Sequence, residues 1–260
     1  MPHVSKICIY PIKSLDGVEV TQARVLQSGA LDYDRQYAIF DEGGKYVNAK
    51  RYAKIHLLRS KFDLESQIIS LQIQGSDTQV SFDLESDTRG LEAWLSDFFG
   101  FSVKLQKNLL TGFPDDTISP GPTIVSTSSI REVASWYEDL DEEDIRRRIR
   151  TTIEIDGVPA FWEDRLFPAG DNVISFKVGD SQFVGVNPCQ RCIVPTRDAI
   201  TGEVYSDFKK IFIHKRQETL PEWVNKSRFN HFYKLTVNTR LASEGVGNQF
   251  IKVGDRLSLL

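Results

Sequence analysis

The sequence predicts a mainly β fold with a few helices, arranged in two modules, because three features of its 260 residues agree. Short apolar or alternating runs fill the first hundred residues, with turn residues between them, which is typical of an antiparallel barrel or sandwich. The tetrapeptide Lys-Val-Gly-Asp occurs at 177–180 and 252–255, each time between two apolar runs, which indicates β turns in a second module. A loop rich in glycine, proline and aspartate at 109–122 separates the modules. We therefore place the first domain at residues 1–118 and the second at 119–260.

The first module is predicted to contain six strands and one helix. Apolar residues recur at helical spacing over Thr88–Phe99, and Gly100 after them is a typical C-terminal stop, so we expect a helix there. Glycine, proline and aspartate punctuate the strands that precede it. The strands are expected at Lys6–Tyr10, Val18–Leu26, Gln36–Phe40, Ile55–Phe62, Ile68–Ile73 and Gln79–Phe82.

The second module is predicted to begin with a strand at Thr123–Ser126 and a helix that starts near Ser128. The next segment, Asp141–Arg150, has acidic residues first and arginines last, which complements a helix dipole. Its charges also form pairs four residues apart, which favours a solvent-facing position for Arg146 and Arg147. Further apolar runs, at 183–186 and 257–260, are expected to be strands.

Arg150 differs from the other arginines of this segment. It lies beyond the pairing pattern and leads directly into a strand predicted at Thr151–Ile155. A charge at the mouth of a strand can point into a pocket, so Arg150 is a candidate ligand-binding residue.

Composition and charge exclude several classes of function. The chain is 40% hydrophobic and 26% charged with a net charge of -4, so no general basic character points to nucleic acid. Neither of the glycine-rich phosphate motifs, GxxxxGK[ST] and GxGxxG, is present, which argues against nucleotide chemistry. Three cysteines fit a reducing compartment, and the N-terminus has no signal-peptide pattern. No apolar run is long enough to span a bilayer, so we expect a cytoplasmic protein without a membrane partner.

The most informative segment is Cys189-Gln190-Arg191-Cys192. A thiolate is a nucleophile and a soft metal ligand, and a neighbouring guanidinium favours the charged form. A zinc site would need two more ligands, and Cys8 and the four histidines do not have such spacing. A thioredoxin-type motif would open a helix, for which Ile193-Val194-Pro195 is a poor start. Buried thiols that merely pack remain an alternative.

A set of residues suited to anions lies nearer the N-terminus. Lys13 and Ser14 follow a predicted strand and present an ammonium and a hydroxyl, and Arg35 precedes the next clear strand. Each of these residues is singly compatible with an ordinary surface position.

These segments, taken in order, resemble the MOSC family with its N-terminal β-barrel module, and by architecture the mitochondrial amidoxime-reducing components and their bacterial counterparts. The resemblance extends over essentially the whole chain and implies a β-barrel MOSC domain preceded by a β-barrel-like module. It rests on Ile9–Ser14, Leu31–Arg35, Arg148–Ile155 with Trp162–Asp164, Cys189–Cys192 with Thr201-Gly202, and Ile251–Asp255.

The resemblance implies a molybdenum cofactor, and pyridoxal phosphate is not expected. Cys192 would be the metal ligand and the catalytic residue. Where the family often has Pro-Asn, this chain has Thr151-Thr152, so hydrogen bonding to the cofactor is expected to differ. The residues expected to bind the cofactor are Lys13, Ser14, Arg35, Ser126, Arg150, Thr152, Gln190 and Arg191.

The activity that the resemblance implies is reduction of small N-hydroxylated compounds, N–OH to N–H. The chain has no cysteine beyond Cys192 for an iron–sulfur domain, so we expect electrons from a separate protein of flavin, haem or iron–sulfur type. The alternative is a non-catalytic module that carries the molybdenum cofactor or a persulfide. A zinc-bound or metal-free barrel with packed cysteines is the third interpretation.

Overall fold

Strands dominate the fold, which confirms the mainly β class. The computed structural model of the chain describes residues 1–168, 173–242 and 247–260. The strands of these residues are β1 (His3–Ile9), β2 (Val18–Val20), β3 (Gln22–Arg24), β4 (Tyr37–Asp41), β5 (Leu58–Asp63), β6 (Ile68–Ile73), β7 (Gln79–Asp83), β8 (Val103–Lys107), β9 (Ile124–Ser126), β10 (Ile153–Asp156), β11 (Ile174–Val178), β12 (Ser181–Gln190), β13 (Lys234–Leu241), β14 (Phe250–Lys252) and β15 (Leu257–Leu259). The α-helices are α1 (Thr88–Phe99), α2 (Thr127–Ala134), α3 (Glu142–Ile149) and α4 (Phe208–Glu218).

The largest sheet has eight strands in the order β15-β11-β12-β13-β9-β10-β1-β2. It therefore joins the first strand of the chain to strands from its second half, with His3 opposite Asp156 and Ile7 opposite Ile153. A separate ribbon pairs β3 with β14. Strand pairing thus crosses the boundary that we place between residues 118 and 119, and one hydrophobic core contains residues from both sides of it.

The run Val18–Leu26, predicted to be one strand, is divided between two sheets. Strand β2 pairs with β1, whereas β3 pairs with β14, and Thr21 lies between them. The prediction of one strand over Ile55–Phe62 is also wrong at its start, because Ala53–Leu57 forms a 3-10 turn before β5. An apolar run alone does not reveal which sheet each of its residues joins.

The remaining strands build the first module, in which β5, β6 and β7 form an antiparallel meander and β4 pairs with β8. Helix α1 covers the predicted span Thr88–Phe99, which is confirmed. It begins where the Asp87 side chain accepts a hydrogen bond from the Gly90 amide, and it ends at Gly100 with φ of 80°. Its apolar face packs on the core of this module.

Two helices connect the parallel strands β9 and β10, as parallel pairs require a crossover. Helix α3 opens with a capping box, in which the Asp141 carboxylate accepts from the Asp144 amide and the reverse bond is also present. It ends at Arg150, which has φ of 57° in the left-handed region. This turn delivers Arg150 to the mouth of β10, where the sequence predicts it.

Strand β12 carries the cysteine segment and is irregular. Its pairing with β13 shifts register between Gly185 and Asn187 and again between Pro188 and Gln190. A Cβ atom at Gly185 would lie 1.6 Å from the carbonyl oxygen of Leu166, so only glycine allows this approach. The bulges place Pro188 where a missing amide donor is tolerated, and they redirect the strand end toward α3.

Helix α4 is absent from the sequence predictions. Phe208 and Phe212 face the core with Tyr137 and Phe161, but the next position on this face is Arg216, which has no solvent exposure. A charged residue in the buried face interrupts the apolar pattern by which such a helix is usually identified.

Candidate functional site

A cleft of about 970 Å³ lies between the two modules, at the upper end of the usual range for small-molecule sites. Eleven lysines and arginines but only seven aspartates and glutamates line it, an excess of four positive charges. The whole chain carries a net charge of -4, so positive charge is concentrated here. Such a cleft is suited to an anionic ligand. All the site residues predicted from the sequence except Ser126 line it.

Arg35 and Arg150 meet across the ring of Tyr10. Their guanidinium carbons lie 5.0 Å and 4.2 Å from the ring centroid. One guanidinium nitrogen of Arg35 donates to the Arg150 carbonyl at 3.2 Å, and Arg150 donates to the Leu15 carbonyl at 2.6 Å. Backbone φ values of 51° and 57° turn both arginines toward each other at the ends of separate loops.

The two arginines differ in how their charges are balanced. Arg35 forms an ion pair with Asp34, its neighbour in the sequence. Arg150 has no carboxylate within 4.0 Å among the described residues. Burial lowers the pKa of the Arg150 guanidinium, which nevertheless remains charged at neutral pH. A buried charge without a partner is costly, so this position is suited to the negative charge of a ligand.

Lys13 and Ser14 enter the cleft from the turn after β1. The Lys13 ammonium is buried and donates at 2.8 Å both to the Phe113 carbonyl and to the Asp115 carboxylate. Burial lowers the pKa of Lys13, and the Asp115 charge opposes that effect. The Ser14 hydroxyl accepts a hydrogen bond from the Ala49 amide at 3.3 Å. Both residues thus tie the turn to neighbouring loops while lining the cleft.

The cysteine segment leaves β12 and turns beside the end of α3. Arg191 donates to the Ile149 carbonyl at 2.6 Å, which fixes Cys192 next to the turn that carries Arg150. The Cys192 sulfur accepts from the Val194 amide at 3.4 Å, a contact that favours a thiolate. All three cysteines of the chain are free thiols, and Gln190 is exposed at the edge of the cleft.

Two expectations about this segment require correction. The Arg191 guanidinium donates to the Cys189 sulfur at 3.3 Å, so it stabilises that thiol directly and not Cys192. A short 3-10 turn, Val194–Thr196, does follow the cysteines, although the proline there was a reason to expect no helix. Proline is tolerated because it stands in the first turn.

Ser126 and Thr152 have other partners than a ligand. Ser126 is fully buried, does not line the cleft, and caps α2 by accepting from the Ser129 amide at 3.1 Å. The Thr152 hydroxyl lines the cleft but bonds to Thr123, whose amide donates to it at 2.8 Å. Its neighbour Thr151 has a buried hydroxyl without a partner in the described part of the chain. Of the two threonines, Thr151 therefore keeps the free hydroxyl.

Arg146 does not face solvent as the sequence predicts. Its guanidinium forms two hydrogen bonds of 2.8 Å with Glu154 on β10, besides the expected contact with Glu142 at 3.3 Å. Arg147 does pair with Glu143, at 3.5 Å. Arg148 is almost completely buried and donates to carbonyls of the segment that follows Cys192. The helix therefore holds the cysteine segment and β10 together.

Sequence reasoning missed several cleft residues because each is ordinary in its local context. These are Cys8, His56, Arg59, Arg148 and Arg197. They come from four separate parts of the chain, and no spacing connects them.

Buried polar atoms without a partner concentrate in the cleft. In the described residues they include donors of arginine and hydroxyl groups as well as one amide oxygen. A pterin with a phosphate presents both donors and acceptors and a dianion, so this set fits such a group. The unpartnered atoms that belong to cleft residues are His56 Nε2, Arg59 Nε, Ser119 Oγ, Arg148 Nε, Thr151 Oγ1, Asn187 Oδ1, Arg191 Nε and Arg197 Nε.

The described residues contain no group of three or more His, Cys, Asp and Glu side chains that could hold a metal ion by themselves. A zinc site built by Cys189 and Cys192 is therefore not assembled in this part of the chain. No helix in the same residues is both long and apolar enough to cross a membrane.

Comparison with known proteins extends these observations. The family model of the MOSC N-terminal beta barrel domain matches residues 1–105, and that of the MOSC domain matches residues 123–258. The chain is similar to molybdenum cofactor sulfurases. The human protein is 25% identical over 252 residues, covering 78% of this chain and 27% of that protein.

Two further sulfurases are similarly related. The Danio rerio protein is 26% identical over 235 residues, covering 73% of this chain and 27% of its own length. The Drosophila melanogaster protein is 29% identical over 237 residues, covering 78% of this chain and 28% of its own length. The chain spans little more than a quarter of these relatives. Because the family models match both of its halves, the protein belongs to the MOSC family.

Proposed function

We propose that the cleft binds a molybdenum cofactor and that the protein reduces small N-hydroxylated compounds to the corresponding N–H compounds. The observation that carries this proposal is the union of a free thiol with uncompensated cations. Arg191 joins the Cys192 segment to the end of α3, and neither Arg191 nor the adjacent Arg150 has a carboxylate within 4.0 Å among the described residues. A soft metal bound through an anionic pterin would satisfy both features.

The residues of the cleft have separate roles in this proposal. Cys192 would ligate the metal, with its sulfur held by the Val194 amide. Lys13, Arg35 and Arg150 would hold the phosphate, and Arg191 would bind the pterin through the Nε atom that has no partner in the described chain. Since the Thr152 hydroxyl is engaged by Thr123, we assign the hydrogen bond of the family's asparagine to the free hydroxyl of Thr151.

When bound, the cofactor would supply two-electron redox and oxygen-atom transfer chemistry. The overall reaction consumes two electrons and two protons for each N–OH bond that is broken, and it releases water. We propose that a separate flavin, haem or iron–sulfur protein provides the electrons. The chain's own contribution is to orient the substrate and to hold the anionic groups out of water.

Carriage of the cofactor or of sulfur is the second candidate function. The relatives found by comparison are all named molybdenum cofactor sulfurases, and the chain corresponds to about a quarter of their length. In this proposal Cys192 would hold a persulfide or the metal for delivery to an acceptor protein. The residues that bind the pterin would be the same.

One experiment separates the two functions. The protein is purified from a host that makes the molybdenum cofactor, its metal content is measured, and it is given benzamidoxime with a strong chemical reductant. We expect molybdenum and conversion to benzamidine, with little turnover from reduced nicotinamide alone. We expect Cys192→Ser to abolish metal retention or turnover, because a hydroxyl is a hard and weakly acidic replacement for a thiolate.

Cys189→Ser is the matched control, since it removes the thiol that contacts Arg191 and should leave much of both properties. Equal loss from the two substitutions would indicate a site that needs both thiols. Loaded protein that reduces no N-hydroxylated compound but delivers cofactor or sulfur to an acceptor would exclude the reductase and favour the carrier.

A further inference from the structure

We propose that His56, Arg59 and Arg197 form a second anion subsite in the cleft, which binds a carboxylate or phosphate group carried by the substrate. The inference rests on the proposed function and specifies its substrate class, namely N-hydroxylated compounds with a negative charge. None of the three residues is assigned to the cofactor above.

The three side chains come together from different modules. Arg59 lies on β5 and donates to the carbonyls of His56 at 2.5 Å and Ala199 at 3.2 Å. Arg197 donates to the Gly202 carbonyl at 3.2 Å. A Cβ atom on Gly202 would lie 3.3 Å from the Cβ atom of His56, so the loop that carries Arg197 packs directly on His56.

This group lies close to the cysteine segment. Val194, two residues after Cys192, packs against the hydrophobic core of the first module, which contains Ile55 next to His56. A substrate whose reacting N–OH group lies near Cys192 could therefore extend its far end to His56 and Arg197.

Each residue of the subsite keeps a buried polar atom without a partner in the described residues, namely His56 Nε2, Arg59 Nε and Arg197 Nε. The acids that face this region are Asp16, 3.4 Å from Arg59, and Asp198, 3.5 Å from Arg148. Within the described chain Arg197 has no carboxylate within 4.0 Å. Burial, together with Arg150, Arg197 and Arg59, lowers the pKa of His56, so the imidazole is neutral and can donate to an anion.

A single cofactor phosphate does not account for all the uncompensated cations. Arg150, Arg191 and Arg197 are three cleft arginines without an ion pair in the described residues, and Lys13 and Arg35 are available to a phosphate besides. The dianion of one phosphate matches two charges. Arg197, the member of this set that contacts His56's loop neighbour Gly202, is left for a different anion.

The test compares benzamidoxime with 4-carboxybenzamidoxime, which share the reacting group and differ by one carboxylate. With the molybdenum-loaded enzyme we expect the KM of the carboxylate compound to be at least tenfold lower at equal kcat. Arg197→Gln should remove this preference by raising only the KM of the carboxylate compound. Arg131→Gln removes the same charge from an exposed position, 66% accessible and outside the cleft, and should preserve the preference.

A second measurement follows the His56 imidazole by NMR in the loaded protein. An anion beside a histidine favours its charged form, so 4-carboxybenzamidoxime should raise the pKa of His56, and benzamidoxime should not. The rise should be lost in Arg197→Gln. Equal KM values for the two compounds, or an unchanged His56 pKa with the carboxylate compound bound, would overturn the subsite. If neither compound is reduced, the proposed function fails, and the NMR titration still decides whether the anion binds.

Discussion

The cleft and the buried pair of Asp164 and Arg216 treat charge in opposite ways. Both members of the pair are withdrawn from water, and the Arg216 guanidinium donates directly to the Asp164 carboxylate. Arg216 also lies 3.9 Å from the ring centroid of Phe161. In the cleft, by contrast, Arg150 is buried without a carboxylate in the described residues. The first site is electrostatically complete within the chain, whereas the second needs a ligand.

This difference indicates which charged residues stabilise the fold and which serve binding. A buried ion pair that loses one member leaves the other charge uncompensated. A cation that is already uncompensated in the cofactor-free protein costs little to remove, because its desolvation is relieved. The same arginine side chain is therefore expected to have opposite effects at the two sites.

The largest effect is expected for Asp164→Asn. Loss of the carboxylate leaves Arg216 charged and fully buried, which should lower the free energy of unfolding by about 3–5 kcal/mol. Urea denaturation of the cofactor-free protein measures this change. The double replacement Asp164→Leu with Arg216→Met removes both charges and should restore most of the loss. A single variant that unfolds like the original protein would show that the pair is not the complete site described here.

A smaller effect is expected for Arg150→Ala, measured as cofactor retention. Hydrogen bonds to charged groups contribute about 1.5–3 kcal/mol, so retention of the molybdenum cofactor should fall about 10- to 100-fold. The stability of the cofactor-free protein should change far less. Arg147→Ala, at an exposed pair with Glu143, is the control, with a stability change of about 0.3–0.5 kcal/mol and no effect on retention.

Arg35→Ala sharpens the same comparison. Arg35 has a partner next to it in the sequence, Asp34, so its removal exposes a partly buried carboxylate as well as weakening retention. We therefore expect Arg35→Ala to lower both stability and retention, unlike Arg150→Ala. If Arg150→Ala destabilises the cofactor-free protein as much as Arg35→Ala does, its charge has a structural role and its assignment to the ligand is wrong.

The two regions also differ in how far the sequence predicts them. Helix Thr88–Phe99 is read correctly because its cap, apolar spacing and terminal glycine are all local signals. Arg150 is found because it stands between a charged helix and a strand, and a helix end beside a strand mouth is a local feature. The approach of Arg191 to the end of α3 depends instead on the bulges of β12, which the sequence does not announce.

The buried pair is not readable from the sequence in the same way. Arg216 lies 52 residues from Asp164, in a helix whose apolar face it interrupts, so neither the helix nor the pairing follows from spacing. Ser126 shows the converse error, since a hydroxyl near a predicted site resembles a ligand donor but serves as a helix cap. Local hydrogen-bond competition of this kind is decided only by the folded backbone.

The smallest effect tests whether the region around the pair is complete, through Glu163. This carboxyl is almost fully buried, and neither of its oxygens has a partner in the described residues. Burial, followed by the charge of Asp164, raises its pKa to about 7. An unfolded glutamate titrates near about 4.3, so between these values the folded protein binds more protons than the unfolded chain.

Stability should therefore fall as the pH rises through this window, by at most about 1.4 kcal/mol per pH unit from this group. Glu163→Gln cannot ionise, so its stability relative to the original protein should increase from pH 5 to pH 8. Urea denaturation of both proteins at the two pH values cancels the titration of all other groups common to them. A stability difference that does not change with pH would mean that Glu163 has a charge partner, and that the neutralised site extends beyond Asp164 and Arg216.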